Sequence, residues 1–213
     1  MRFFRSVLAS TATLAALAFA VPSHASPEDA QAFVDREHHR LEALLHEPES
    51  PARDTKLNEG LGLFVDYDEL TVRAFGEPCP PAEPSCDDLW AKYDPNQRAE
   101  VRGLLEQLVR KNYKRNLLKT LDYDLTYRGV RDLGSDTRVQ TEAKNKLKPR
   151  EAPIRVDYIV KQTANGPKVV DIITEGSSLT KNYYDQFRKK MNNPAEGYPN
   201  IVAKLREKIA KKD

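Results

Sequence analysis

The sequence is poor in cysteine, with only Cys79 and Cys86, and poor in histidine, with four among 213 residues. Zinc would need two more ligands at suitable spacing beside Cys79 and Cys86, and none lies nearby. The chain also lacks a charge excess. Its 34 Lys and Arg exceed its 32 Asp and Glu by two, and both extra cations, Arg2 and Arg5, lie in the first 25 residues, which hold no acid. The remainder is balanced at 32 against 32. A sequence-blind nucleic-acid binder draws its affinity from counterion release and needs a strong basic excess, so that class is set aside. Long apolar runs are missing too, apart from Val7 to Val21. That run is shorter than the roughly 20 residues of a membrane helix. No G-x-S-x-G elbow of a serine hydrolase occurs.

What is present at the start is an address. Arg2 and Arg5 precede the apolar run, and Pro22 with Ser23-His24-Ala25 follows it. This is the layout of a cleavable secretory signal over residues 1–25, with cleavage expected after Ala25. No cysteine follows the cut, which argues against a lipid-anchored form. The expected product is an exported chain forming one domain over residues 26–213, helical over 26–120 and a sheet with a C-terminal helix over 121–213. In an oxidising compartment, Cys79 and Cys86 within EPCPPAEPSCDD read as a disulfide closing a proline-rich loop.

The first half has helical spacing. Ser26-Pro27-Glu28-Asp29 is a start signal, with Ser as cap, Pro in the first turn and acids against the helix dipole. Phe33, Val34, Leu41, Leu44 and Leu45 then supply a core face before Pro48. A second helical region spans roughly Ala52 to Phe75, and Gly60 and Gly62 predict its break into two pieces, with Asp66 able to cap the second. Asp94-Pro95-Asn96-Gln97 is the clearest start in the chain, an Asp cap with Gln three residues on. Val101, Leu104, Leu105, Leu108, Val109, Leu117 and Leu118 follow as a broad stripe, predicting a helix to about Thr120.

The second half changes period. Leu121, Tyr123, Leu125 and Tyr127 alternate with polar residues, and Asp136 to Ala143 alternates again with Thr137, Val139 and Thr141. In IRVDYIVKQ, Ile154, Val156, Tyr158 and Val160 share one face, and TANGP carries an Asn-Gly hairpin signal before a strand from Lys168 to Thr174. That last strand is apolar on both faces, with Val170 and Ile172 on one and Val169 and Ile173 on the other. Four strands joined by short turns make an antiparallel meander. The fold class is α+β, with N-terminal helices on one face of a four-stranded sheet in an NTF2-like arrangement, and a C-terminal helix.

The stretch DIITEGSSLTKNYYDQF carries the motif. Its strand ends at Glu175-Gly176, Ser177 or Ser178 caps a helix, and Leu179, Tyr183 and Phe187 share one helical face. An Asp-containing strand followed by Glu-Gly-x-Ser-Leu-x-x-Asn-Tyr-x-x-Gln-Phe resembles the signature of the MlaC family of periplasmic phospholipid-binding proteins, the toluene-tolerance auxiliary component. Asp171, Glu175, Gly176, Ser178, Leu179, Asn182, Tyr183, Gln186 and Phe187 fall on it in register. VDYDEL, Phe75-Gly76, Trp90 and the PNQRAE run also resemble the family order. Tyr184 and Pro167 stand where the family often has Arg and Trp, and the cysteine loop looks like an insertion.

The resemblance implies a carrier with no enzymatic activity and no cofactor. It would hold a phospholipid between helices and a curved sheet. Its partners would be an inner-membrane ABC-type lipid transport complex and an outer-membrane lipoprotein complex, and its task would support outer-membrane lipid asymmetry. The expected wall is Leu105, Leu108, Val109, Tyr113, Val139, Val156, Tyr158, Val160, Leu179, Tyr183 and Phe187. The same positions would also serve as ordinary core. A hopanoid-type lipid binder of the same family reads the same way. The rival class is a small α+β pocket enzyme using Tyr123, Tyr127, Asp157 or Tyr158 in acid–base chemistry. It predicts a buried carboxylate facing the cavity, whereas a carrier predicts a dry, wholly apolar one. The remaining histidines, His38, His39 and His46, lie far in sequence from the serines, and a metal cluster of His38, Glu42 and His46 is the weaker reading of one charged helix.

Overall fold

The computed structural model describes residues 27–80 and 86–211, so the expected export signal and the Ser26 cap lie outside the described residues. Four helices come first: α1 (Pro27–Leu45), α2 (Pro51–Phe64), α3 (Tyr67–Ala74) and α4 (Pro95–Thr120). Local side chains set their starts. Ser50 Oγ accepts from Arg53 N at 3.1 Å ahead of α2, and Asp66 Oδ1 accepts from Glu69 N at 2.9 Å ahead of α3. At α4 both halves of a capping box form. Asp94 Oδ1 accepts from Gln97 N at 3.0 Å, and Gln97 Oε1 accepts from Asp94 N at 3.1 Å.

The second helical region does form two pieces, but the break falls at Val65 and not at Gly60 and Gly62. Helix α2 runs through both and ends at Phe64. Gly60 instead lets α2 approach α1, since a Cβ there would come within 2.8 Å of Leu41 Cδ2. The missing side chain serves helix–helix contact.

The sheet follows as β1 (Tyr123–Asp132), β2 (Asp136–Asn145), β3 (Ile154–Thr163), β4 (Gly166–Thr174) and β5 (Ser177–Ser178), antiparallel and in sequence order. It has five strands where four were expected. The extra one is the serine pair itself, with Ser178 opposite Ile173 and Ser177 opposite Thr174. Two helices close the chain: α5 (Leu179–Met191), which the serines start, and the C-terminal α6 (Gly197–Ala210). The break after α2 has its reason in the sheet: Val65 bridges Val169, and Asp66 N donates to Val169 O at 2.9 Å. The chain leaves the helix to dock along the β4 edge.

Pairing sets which side chains face the helices. Ala143 lies opposite Ile154, Thr141 opposite Val156, and Val139 opposite Tyr158; Val156 and Tyr158 in turn face Thr174 and Ile172. Alternation puts these on one face. A bulge in β4 then changes the parity. Ile159 pairs with Asp171 and Val160 with Val169, so Val170 is the extra residue. Val169 and Ile172 therefore share the helix-facing side, which splits both pairs predicted from simple alternation. The core runs from Phe33 and Leu41 through Phe64, Leu105 and Leu108 to Val139, Val169 and Phe187. Phe75 stacks on Phe187 at 4.5 Å between ring centres, tying the first helices to the last ones.

Candidate functional site

Helix α4 and the sheet do not close completely against each other. Between them lies a cavity of about 330 Å³, bounded by Tyr113, Asn116 and Leu117 of α4, His38 of α1, and Tyr123, Leu125, Ala143, Ile154, Val156, Tyr158, Ile172 and Thr174 of β1–β4. A second cavity of about 240 Å³ adjoins it along Tyr113, Asn116, Ile172 and Thr174 and continues toward α5 past Val109, Leu179 and Tyr183. Small side chains at Ala143 and Thr174 leave space that larger aliphatics would fill in a close-packed interior. Phe64 closes the deep end, its ring edge-on to Tyr113 at 6.0 Å and Tyr158 at 5.9 Å. His38 and Tyr158 are buried there, whereas Ile154, Asn116 and Thr174 are exposed at the other end. The cavity is deep on one side and open where β1 and β3 begin and β2 and β4 end.

Its wall carries no charge at neutral pH. Burial pushes the Tyr158 hydroxyl up to about 12 and Tyr113 well above its ordinary value, and the two hydroxyls share a hydrogen bond. Burial also raises Tyr183, against a hydrogen bond from Asn112. It lowers His38 below its ordinary 6.5, partly opposed by Glu42 and Asp35. Among the described residues no Asp or Glu lines either cavity. The wall is nevertheless not wholly apolar, as a carrier had been expected to require. His38, Asn116 and the tyrosine hydroxyls punctuate it.

The expected wall residues divide in two. Tyr113, Val156 and Tyr158 line the larger cavity, and Val109, Tyr113, Leu179 and Tyr183 the smaller. Leu105, Leu108, Val139, Val160 and Phe187 are packed in the closed core. The expected wall lacks Leu117, Leu125, Ala143, Ile154 and Ile172, and the polar His38, Asn116, Tyr123 and Thr174. Leu125 and Ala143 stood on alternating strands, but nothing in the sequence says that those strands border empty space. Ile172 was hidden by the bulge.

The four residues nominated for acid–base chemistry are also separated. Tyr123 and Tyr158 line the cavity and Tyr127 packs against the core, but Asp157 falls on the opposite face of β3. There it is fully buried and accepts from Arg138 Nε at 2.7 Å. In the suggested metal set, His38 faces the cavity and His46 is exposed. Among the described residues no three His, Cys, Asp or Glu side chains gather as a metal site.

The turn between β4 and α5 is architectural. Glu175 and Gly176 both take positive φ, 49° and 79°, which reverses the chain. Ser178 Oγ caps α5 by accepting from Lys181 N at 3.0 Å, and it donates to Asp171 Oδ2 at 2.6 Å. Asp171 Oδ1 accepts from Thr180 N at 3.0 Å. The strand Asp and the turn Ser are thus one device, which holds α5 so that Leu179 and Tyr183 reach the smaller cavity. Cys79 and Cys86 form the expected disulfide. The chain beyond it is fixed to α5, because Tyr184 Oη accepts from Asp87 N at 2.9 Å.

No curated protein matches the chain. Among solved structures, the phospholipid-binding protein from Ralstonia solanacearum, determined in complex with a phospholipid, has a TM-score of 0.68 and 22% sequence identity, covering 85% of this chain and 97% of that one. At that identity the likeness is one of fold. The MlaC protein family matches residues 39–207, a span from α1 to α6 that takes in the β4–α5 device and, His38 apart, the lining of both cavities, and the chain belongs to that family.

Proposed function

We propose that the protein is an exported phospholipid carrier. Acyl chains occupy the space between α4 and the sheet, and the headgroup stays in water at the open end. One observation carries this reading: an uncharged, mainly apolar cavity, closed at depth and open at one end, in a chain of the MlaC family. The phospholipid complex of the Ralstonia solanacearum protein supports the choice of ligand. The larger cavity is within the range of ~300–1,000 Å³ usual for small-ligand sites.

The energetics define the task. Each CH₂ withdrawn from water contributes about 0.8 kcal/mol, so a chain of about 16 carbons would cost roughly 12 kcal/mol to release into solvent. A carrier therefore gives up its cargo only when docked. That accords with a periplasmic shuttle between an inner-membrane ABC-type complex and an outer-membrane lipoprotein complex, working to keep outer-membrane lipid asymmetry. The reading is non-enzymatic, because the one fully buried carboxylate of β3, Asp157, lies across the sheet from the cavity and is held by Arg138.

The test is native mass spectrometry of the exported protein purified without detergent, followed by organic extraction. We expect a stoichiometric phospholipid, and a chain beginning at Ser26. Val156→Arg should empty the cavity while leaving the circular dichroism spectrum unchanged. Leu108 is the wrong target, since it is 2% exposed in the closed core and a charge there unfolds the protein. An empty wild-type protein, or one holding a small polar molecule, would overturn the proposal.

A further inference from the structure

Five large apolar side chains stand exposed among the described residues: Leu63, Leu118, Leu133, Leu147 and Ile154. Three of them gather at one end of the molecule, the end where the cavity opens. Leu118 follows the cavity-lining Leu117 on the last turn of α4, and Ile154 itself lines the mouth. Leu147 is the most exposed of the five at 73%, on the loop that joins two lining residues, Ala143 and Ile154. That loop is a built turn. Asn145 Oδ1 accepts from Leu147 N at 2.9 Å and Lys148 N at 3.0 Å, while Lys146 N donates to Asp122 O at 2.7 Å. The chain spends three hydrogen bonds holding a leucine out in water.

The segment that carries this leucine is strongly basic. Residues 144–155 hold Lys144, Lys146, Lys148, Arg150 and Arg155 against Glu151 alone, in a chain otherwise near balance. Lys148 pairs with Glu151 at 3.1 Å and Lys146 with Asp124 at 3.5 Å. Lys144, Arg150 and Arg155 have no ion-pair partner among the described residues, and all three are exposed. Three acids border this surface without forming an ion pair with any of the three cations: Glu175, whose carboxylate accepts from Arg155 N; Glu142, which lies opposite Arg155 in the sheet and pairs with Arg128; and Asp122. An apolar tip among cations is the composition that settles on an anionic lipid–water interface. A protein interface of standard size calls for about 800 Å² per partner around aromatic or Met anchors, whereas this surface offers one projecting Leu and no exposed large aromatic side chain.

We propose that this end of the molecule is a docking surface for an anionic bilayer, with Leu147 entering the interface and Lys144, Arg150 and Arg155 meeting lipid phosphates. Docked this way, the cavity mouth lies at the headgroup plane, and an acyl chain can pass between bilayer and cavity without crossing water. The geometry needs only the position of the mouth. The lipid-carrier reading supplies its purpose.

The test is co-flotation of the full exported chain with vesicles of phosphatidylcholine alone or of phosphatidylcholine with phosphatidylglycerol. We expect binding to the anionic vesicles only, released by salt. Leu147→Asp should abolish it, and Lys144→Gln with Arg150→Gln should weaken it about fivefold per cation. Leu133→Asp, on the hairpin at the opposite end of the sheet, should bind as wild type. Cargo measured on the same samples keeps the two proposals apart, since the loop variants should retain bound lipid. Equal binding to both vesicles, no binding at all, or an unaffected Leu147→Asp would overturn the inference. The loop would then stand as a contact for a protein partner.

Discussion

Asp171 is 6% exposed and has no ion-pair partner among the described residues, so its charge must be met by neutral donors. It is: Ser178 Oγ and Thr180 N both donate to it at the positive end of α5. Asp171→Ala leaves those donors unpaired and should cost about 2 kcal/mol, read as a lower urea midpoint at unchanged slope. His38 supplies the second test at this scale. Burial holds its folded value below the unfolded 6.5, with Glu42, Asp35 and His39 as the charged or titrating neighbours. The native state therefore binds fewer protons than the unfolded chain. Its contribution is complete above 6.5 and is lost as pH falls through the lowered folded value. Urea midpoints compared at about pH 8 and about pH 5 should show that loss, and His38→Leu should reduce it.

Elements show what a local pattern can and cannot specify. Caps at Ser50, Asp66, Asp94 and Ser178 are short-range chemistry, a side-chain oxygen meeting a backbone N–H two or three residues on. All but the Ser50 cap are legible in the sequence. Glycines were misread because their reason lies on another helix. Gly60→Ala and Gly103→Ala test this as a pair. At Gly103 a new Cβ would meet nothing within 4 Å, so Ala should stabilise α4 by about 1 kcal/mol. At Gly60 the same gain in helix propensity is opposed by the fully buried Leu41, 2.8 Å away, and thermal unfolding should move down. A rise in both variants would mean that α1 and α2 can part at little cost.

For the whole molecule, the decisive quantity is volume left unfilled. Ala143→Phe should raise the melting temperature of lipid-free protein by adding contacts in the cavity, and should lower lipid occupancy in the same preparation. A core position would respond to added volume with a loss of stability and no change in cargo. Ala143 and Ile154 were both in view as members of alternating strands, and neither was placed in the wall. Leu105, Leu108, Val139, Val160 and Phe187 were placed there and belong to the core. A stripe at helical or strand spacing says which side is dry, but a packed side and an empty side bury the same residue types. The β4 bulge adds a second limit, since one unpaired residue at Val170 reverses parity without a composition signal.

Sequence alone determined the order of elements, the helix starts, the antiparallel meander, the disulfide between Cys79 and Cys86 and the family signature from Asp171 to Phe187. These depend on neighbours within a few residues, or on a motif short enough to read in register. Tertiary structure decided what lies between the layers. It put Asp157 on the far face, set Val169 beside Ile172, and left space between α4 and the sheet. Those outcomes depend on how far apart two surfaces settle, a distance set jointly by side chains from α1, α2, α4 and four strands that no single window of sequence contains.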